Sequence, residues 1–121
     1  MKALFDTNIL IDYLNGIEAA KTELALYESP AISSITWIEV MVGARSEDEE
    51  VRLRAFLNRF RIVPVSGEVA ERAVELRRQY RMRLPDAMIW ASALCESCLL
   101  ISRNTRDFPP DHPGVRVPYT V

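Results

Sequence analysis

Histidine and cysteine are scarce in this chain of 121 residues, which holds one histidine, His112, and two cysteines, Cys95 and Cys98. A structural zinc site takes about four ligands, so these three residues are too few to build one. The cysteines form a C-x-x-C pair, but a thioredoxin-like redox pair normally opens a helix after a strand, whereas this pair closes an apolar helical segment. We therefore expect two free, partly buried thiols.

Long apolar segments are also absent. No uninterrupted stretch approaches the roughly 18 residues of a membrane span, and Asp6 interrupts the N-terminal apolar run before it reaches the length of a secretory signal. We expect a cytoplasmic protein without membrane association. The length and an apolar content of 49% predict a single ordered domain over residues 1–121.

Lysine is nearly absent, since thirteen of the fifteen basic residues are arginine. Nine of these arginines fall within residues 51–83, whose net charge is +6, while residues 1–50 carry −7. Arginine binds phosphate through two parallel hydrogen bonds, so this basic segment, and in it Arg77 and Arg78, is a candidate nucleic-acid-binding surface. Arginines at helical spacing are also typical of an ordinary solvated helix face, and the sequence leaves both interpretations open.

Short apolar runs that alternate with helical segments predict an α/β domain. Most of the predicted strands are followed by a pair of helices, and crossovers of that length join parallel strands. We expect a three-layer α/β/α fold with a central, mostly parallel sheet of four to five strands. The predicted strands lie at 2–5, 30–34, 61–65, 99–102 and 115–121, and the predicted helices lie near 9–16, 17–28, 35–43, 46–60, 66–80 and 85–95.

Several polar residues are candidates to begin these helices. Thr7 or Asn8 is expected to cap the first helix, so Asp6 is not needed for that role. Ser46 precedes a cluster of acids and is expected to cap the fourth helix. The Ser-Gly pair at 66–67 is expected to open the fifth.

Four polar residues stand where predicted elements would meet at one edge of the sheet. Asp6 and Asn104 follow strands, Glu39 lies early in the helix after the second strand, and Asp86 lies in the first turn of an apolar helix. Because the carboxyl ends of parallel strands share one edge, we expect these side chains to converge. Each acid also has an ordinary alternative role, as a turn or cap residue, an exposed helical glutamate or a complement to a helix dipole.

Converging carboxylates favour a bound cation. Two like charges about 4 Å apart repel by roughly 4 kcal/mol at an effective dielectric constant of about 20. Oxygen ligands without histidine or thiolate suit Mg²⁺, with Mn²⁺ as a substitute. Such ions bind phosphate oxygens and activate water, so an acidic metal site beside an arginine-rich surface predicts phosphodiester hydrolysis.

Four motifs, in this order, make the resemblance specific: LFDTNILIDYL, SSITWIEVMVGA, LPDAMIWASAL and LLISRNTRDF. Together they resemble the PIN domain, and most closely the VapC-type ribonuclease toxins of bacterial toxin–antitoxin pairs. The resemblance implies that Asp6, Glu39 and Asp86 bind the metal and that Asn8 and Thr36 are the accompanying polar residues.

The chain departs from the family pattern at the fourth acidic position, where it has Asn104. Asn104 can still accept a hydrogen bond or hold a metal-bound water, but it adds no charge. Asp107, three residues later, is an alternative ligand. Arg103 and Arg106 flank the position and are candidates to contact the substrate phosphate.

The resemblance implies a Mg²⁺-dependent endoribonuclease whose products carry a 5′-phosphate and a 3′-hydroxyl, with a cognate antitoxin as partner and a homodimer as assembly. The alternative is an inactive PIN-fold binding or regulatory module, which the missing fourth acid favours. A phosphoacceptor receiver domain is a poorer match, since it needs an acid pair after the first strand, where this chain has Thr7 and Asn8.

Overall fold

A five-stranded parallel sheet forms the centre of the fold in the computed structural model, which describes residues 2–121. The strand order is β3-β2-β1-β4-β5, and every neighbouring pair is parallel. The predicted α/β fold is therefore confirmed, with a wholly parallel sheet. The strands are β1 (Ala3–Phe5), β2 (Ala31–Ser33), β3 (Arg61–Val63), β4 (Leu99–Ile101) and β5 (Val115–Arg116).

Six helices flank the sheet. They are α1 (Thr7–Leu14), α2 (Glu18–Ala25), α3 (Ser34–Val42), α4 (Glu47–Leu57), α5 (Gly67–Tyr80) and α6 (Leu84–Cys95).

Alternating side chains along the strands separate two hydrophobic cores. Phe5, Ile32 and Ile101 face the core shared with α1, α2 and α4. Leu4 and Leu100 face the opposite core, shared with α5 and α6. All five side chains are fully buried, and each such burial contributes about 1.5–3 kcal/mol. The central strands are thus held rigidly from both faces.

The first helix begins two residues before the predicted range of 9–16, and its cap is Asp6. The backbone N–H of Thr7 donates to Asp6 Oδ1 at 2.8 Å, and helix α1 starts at Thr7. The expectation that Thr7 or Asn8 would cap this helix is wrong, because the extended backbone of Asp6 already presents its carboxylate to the first turn. The predictions for Ser46 and the pair at 66–67 are confirmed, since Ser46 and Ser66 cap α4 and α5.

The last strand is shorter than predicted. Strand β5 covers only two residues, although the sequence suggested a strand over 115–121. Pro118 cannot donate a ladder hydrogen bond, and Tyr119 instead donates its hydroxyl to Asp12 at 2.8 Å. The C-terminal segment therefore leaves the sheet and packs against α1.

Helix α6 is buried nearly all round, as its apolar composition predicted. Trp90 is fully buried and packs edge-to-face against Phe108. Cys95 and Cys98 are free thiols, which confirms their predicted state. Within residues 2–121, no helix has the length and apolar character to span a membrane.

Candidate metal and phosphate site

The predicted acids converge on one open pocket of about 400 Å³ at the carboxyl edge of the sheet. The lining combines the end of β1, the first residues of α1 and α6, the middle of α3 and the loop after β4. This parallel topology brings together residues that are up to 98 positions apart, from Asp6 to Asn104. The lining residues are Asp6, Thr7, Asn8, Ile11, Glu39, Arg83, Asp86, Arg103 and Asn104.

Asp6 is the buried centre of this pocket, with only 4% of its surface exposed. Its Oδ2 accepts a hydrogen bond from the Ser102 hydroxyl at 2.7 Å and one from the Asn8 amide at 3.1 Å. The Thr7 backbone N–H holds the other oxygen. All of these donors are neutral, so the carboxylate is fixed in place without a paired cation. Ser102 was not identified from the sequence, because a serine that ends an apolar strand carries no distinctive pattern.

Burial is the main reason that the pKa of Asp6 is raised to about 6. The hydrogen bonds from Ser102 and Thr7 oppose the rise, while the negative charges of Asp86 and Glu39 add to it. The carboxylates of Asp86 and Glu39, which the sequence predicted as neighbours of Asp6, therefore both repel its charge across this pocket.

Hydroxyl groups position Glu39, which is otherwise exposed. Thr7 donates its hydroxyl to Glu39 Oε1 at 2.6 Å, and the Thr7 and Thr36 hydroxyl oxygens are 3.0 Å apart. Thr36 is fully buried. Hydroxyl groups thus connect α1 to α3. Thr36 supports the glutamate from behind and does not line the pocket.

Asp86 has a basic neighbour that the sequence did not reveal. Arg83 Nε donates to Asp86 Oδ2 at 3.3 Å, and Arg83 Nη2 is 3.7 Å from Asp107 Oδ2. Burial raises the pKa of Asp86, Arg83 lowers it, and Asp107 raises it further. The only signal for Arg83 was its position three residues before Asp86, at the start of α6.

Asn104 and Asp107 form a closed pair in the loop after β4. Asn104 Nδ2 donates to Asp107 Oδ2 at 2.9 Å, and the Asp107 backbone N–H donates to Asn104 Oδ1 at 3.2 Å. Asn104 lines the pocket, while Asp107 lies behind it, next to Asp86. A carboxylate therefore lies next to position 104, and the roles of both residues stay predictions.

The predicted RNA-binding arginines separate into two groups. Arg103 lines the pocket and forms a two-pronged ion pair with Asp12 at 2.6 and 2.9 Å. Arg77, Arg78 and Arg106 are exposed and do not line the pocket.

Arg77 has a structural contact as well. Its Nη1 donates to the Met82 carbonyl at 2.6 Å, in the loop between α5 and α6. Arg78 is therefore the cleaner candidate for a solvent-facing phosphate contact.

The side chains at this pocket fit a hard divalent cation better than a soft one. Asp6, Glu39 and Asp86 offer carboxylate oxygens, and the buried Asp6 has no basic partner among residues 2–121. Among those residues, no three histidine, cysteine, aspartate or glutamate side chains lie close enough together to hold a metal ion by themselves. An open arrangement suits Mg²⁺, which is usually bound through one or two carboxylates and keeps several waters.

Residues 3–109 match the PIN domain family. The chain belongs to the PIN-domain family. It is 32% identical to ribonuclease VapC10 of Mycobacterium tuberculosis over 88% of this chain and 85% of VapC10. It is also 32% identical to ribonuclease VapC19 of the same organism, over 96% of this chain and 98% of VapC19. These similarities confirm the resemblance to VapC-type PIN-domain proteins.

The fold of this PIN domain matches a chain of a toxin–antitoxin complex from Klebsiella pneumoniae with a TM-score of 0.93. The two chains are 49% identical, and the match covers 99% of this chain and 100% of the other. The whole of this chain therefore has the architecture of a component of that complex.

Proposed function

We propose that this VapC-type PIN domain is a Mg²⁺-dependent endoribonuclease toxin of a type II toxin–antitoxin pair. The observation that carries the proposal is the buried, unpaired carboxylate of Asp6, whose pKa is raised by burial and by the neighbouring charges of Asp86 and Glu39. A fold that keeps this repulsion in place is stabilised by a cation at the site. The names of the VapC relatives support ribonuclease activity.

Asp6, Glu39 and Asp86 would hold Mg²⁺, or Mn²⁺ in its place, directly or through waters. When bound, the cation would lower the pKa of a water for attack on the RNA phosphodiester and offset charge on the departing oxygen. The family resemblance favours products with a 5′-phosphate and a 3′-hydroxyl.

The remaining pocket residues orient these groups. Ser102 and Asn8 fix Asp6 by neutral hydrogen bonds that leave its charge in place. Arg83 and Arg103 lie at the pocket and can meet the phosphate through charge-assisted hydrogen bonds. Asn104 provides an amide at the position where the family resemblance implies an acid, and we assign it to orienting water or substrate.

The proposed partners are an RNA substrate, an antitoxin and a second copy of this chain, all acting in the cytoplasm. The similarity to a chain of a toxin–antitoxin complex supports the antitoxin. The homodimer rests on the family resemblance, and exposed apolar side chains within residues 35–60, such as Ile38, Val42 and Val51, are available for it.

RNA cleavage by matched variants tests the proposal. We expect wild-type protein to cleave bacterial total RNA with Mg²⁺ and to stop when EDTA is added. Asp6→Asn should abolish cleavage, whereas Asp111→Asn, which neutralises an exposed loop acid, should cleave like wild type. Undiminished cleavage by Asp6→Asn would remove Asp6 from the site. Mapping of the new RNA ends would show which sequence is cut.

The second candidate function is an inactive PIN-fold regulatory module. Two observations favour it: the amide of Asn104 at the fourth acidic position and the contact of Arg83 with Asp86. Such a module would bind no divalent cation and would leave RNA intact, so the same cleavage assay separates the two functions.

A further inference from the structure

Asp12 is a buried acid that the proposed metal site does not use. It lies on α1, six residues after Asp6, and only 7% of its side chain is exposed. It accepts hydrogen bonds from Arg103 Nε at 2.6 Å, from Arg103 Nη2 at 2.9 Å and from the Tyr119 hydroxyl at 2.8 Å. Three donors from two distant segments therefore converge on this one carboxylate.

Arg103 connects Asp12 to the pocket. Its guanidinium uses Nε and Nη2 on Asp12, and among residues 2–121 no acceptor engages its Nη1. The side chain is 36% exposed and lines the pocket beside Asp6 and Asn104. One edge of the guanidinium is thus fixed by a buried acid, while the rest remains accessible from the pocket.

We propose that Asp12 and Tyr119 are positioning residues, which hold Arg103 at the edge of the carboxylate pocket so that its outer N–H groups receive a phosphate of the RNA. This inference rests on the proposed function. A flexible arginine loses much rotamer freedom when it binds phosphate, and a guanidinium that is already ordered by a fixed acid loses less. Asp12 also keeps Arg103 from pairing with the acids of the pocket itself.

A second cluster of the same kind, a buried acid bound by an arginine and a tyrosine, provides a matched control. Arg116 Nε and Nη2 bond Glu23 at 2.7 and 3.0 Å, and the Tyr27 hydroxyl donates to Glu23 at 3.2 Å. Glu23 is buried to the same degree as Asp12, but none of the three residues lines the carboxylate pocket. Loss of this cluster should cost stability without moving a guanidinium at the site.

The test measures cleavage and RNA binding for paired substitutions, Asp12→Asn against Glu23→Gln and the milder Tyr119→Phe against Tyr27→Phe. After correction for folded fraction, we expect kcat/KM on bacterial total RNA to fall about 10- to 100-fold for Asp12→Asn. The fall should be about 3- to 10-fold for Tyr119→Phe, since it removes one hydrogen bond to the same carboxylate. In both control variants kcat/KM should stay within about twofold of wild type. The correction for folded fraction removes their loss of stability, and that loss is independent of the pocket.

Arg103→Gln extends the test to the residue through which Asp12 acts. Once Arg103 is gone, adding Asp12→Asn should cause no further loss, whereas two independent effects would multiply. Binding of labelled bulk transfer RNA to Asp6→Asn protein gives a readout without cleavage. There, Arg103→Gln should make the dependence of log affinity on log salt concentration, the salt slope, shallower by about one, the value for one phosphate contact. Asp12→Asn should weaken binding more than Glu23→Gln does.

The outcomes separate this inference from the proposed function. The positioning role is overturned, and the nuclease stands, if wild type cleaves RNA but Asp12→Asn behaves like Glu23→Gln in both assays. The same conclusion follows if the losses of kcat/KM caused by Asp12→Asn and Arg103→Gln multiply in the double variant. If wild type binds RNA but does not cleave it, the nuclease proposal fails and the binding series still decides the positioning role. If wild type neither binds nor cleaves, both are overturned.

Discussion

Two acids of the same segment, Asp6 at the N-cap of α1 and Asp12 within that helix, expose similarly little surface to solvent but have opposite electrostatic surroundings. Asp12 is bound by Arg103 and Tyr119, and the hydrogen bond from Arg103 is the main reason that its pKa is lowered. Asp6 has only neutral donors and two acidic neighbours, and burial raises its pKa to about 6. The fold therefore neutralises one buried carboxylate internally and leaves the other without a counter-charge.

The absence of a counter-charge at Asp6 is not a general property of the buried acids in this protein. Glu23 is neutralised in the same way as Asp12, with Arg116 and Tyr27 as its hydrogen-bond partners. A chain with thirteen arginines could have paired Asp6 in the same way. An unpaired, rigidly held carboxylate beside Glu39 is the pattern expected of a site completed by a bound cation.

The largest effect on stability should come from removing the neutralised acid. Asp12→Ala leaves Arg103 and Tyr119 without their acceptor. Breaking a fully buried pair costs about 3–5 kcal/mol, and because the Arg103 side chain is 36% exposed to water, we expect a loss near the lower end of that range. Chemical denaturation measures the loss in the free energy of unfolding. A cost near zero would show that Asp12 is not the counter-charge that its contacts indicate.

The next largest effect is the dependence of stability on pH in metal-free protein. The folded-state pKa of Asp6, about 6, is above the unfolded value of about 3.9. The folded state therefore binds the proton more tightly, and this contribution is present below pH ~4 and is lost as the pH rises through ~6. The loss should total about 2–3 kcal/mol.

The difference between wild type and Asp6→Asn isolates that contribution. Unfolding of both proteins in EDTA should show their free energies diverging in favour of Asp6→Asn as the pH rises from ~4 to ~7. For Asp12, whose pKa is lowered, the sign is reversed, and its contribution disappears only as the pH falls below ~4. A constant difference between the two proteins would contradict the raised pKa of Asp6.

A smaller effect is expected for Asp6→Asn at a single alkaline pH. The substitution removes the repulsion from Glu39 and Asp86 but also weakens the hydrogen bonds from Ser102 and Asn8. We expect the metal-free variant at alkaline pH to be as stable as wild type or up to about 1 kcal/mol more stable. Given the divergence of about 2–3 kcal/mol, the variant should then be about 1–3 kcal/mol less stable than wild type near pH 4. A clear loss of stability at alkaline pH, measured by thermal unfolding in EDTA, would show that Asp6 stabilises the fold as Asp12 and Glu23 do.

The smallest effect is expected at the exposed arginines of α5. Arg78→Ala should leave stability unchanged and lower the salt slope of RNA binding by about one. Arg77→Ala should have the same effect on the slope but also loosen the loop at Met82, to which it donates a hydrogen bond. An unchanged slope for both variants would assign these arginines to an ordinary solvated face.

The sequence was sufficient to predict the edge of the sheet where the site forms. Apolar runs ending at Asp6 and near Asn104 could only belong to parallel strands, and parallel strands bring their ends together. The cap of α1 was predicted wrongly, because Asp6, Thr7 and Asn8 all favour that position and the strand geometry decides among them.

Pairings across long sequence separations could not be predicted. Asp12 and Arg103 are 91 residues apart, and Tyr119 reaches them only because the chain leaves the sheet after β5. The structure places Arg103 at the pocket, and two of the five N–H groups of its guanidinium already donate to Asp12. No local pattern of residues carries that information.

The central claim is that the unpaired charge around Asp6 is completed by a divalent cation. Calorimetric titration of Mn²⁺ into EDTA-treated and dialysed protein at neutral pH tests it most directly. We predict saturable heat for wild type and for Asp111→Asn, and none for Asp6→Asn. Absence of heat with wild type, or the same heat with Asp6→Asn, would contradict the claim.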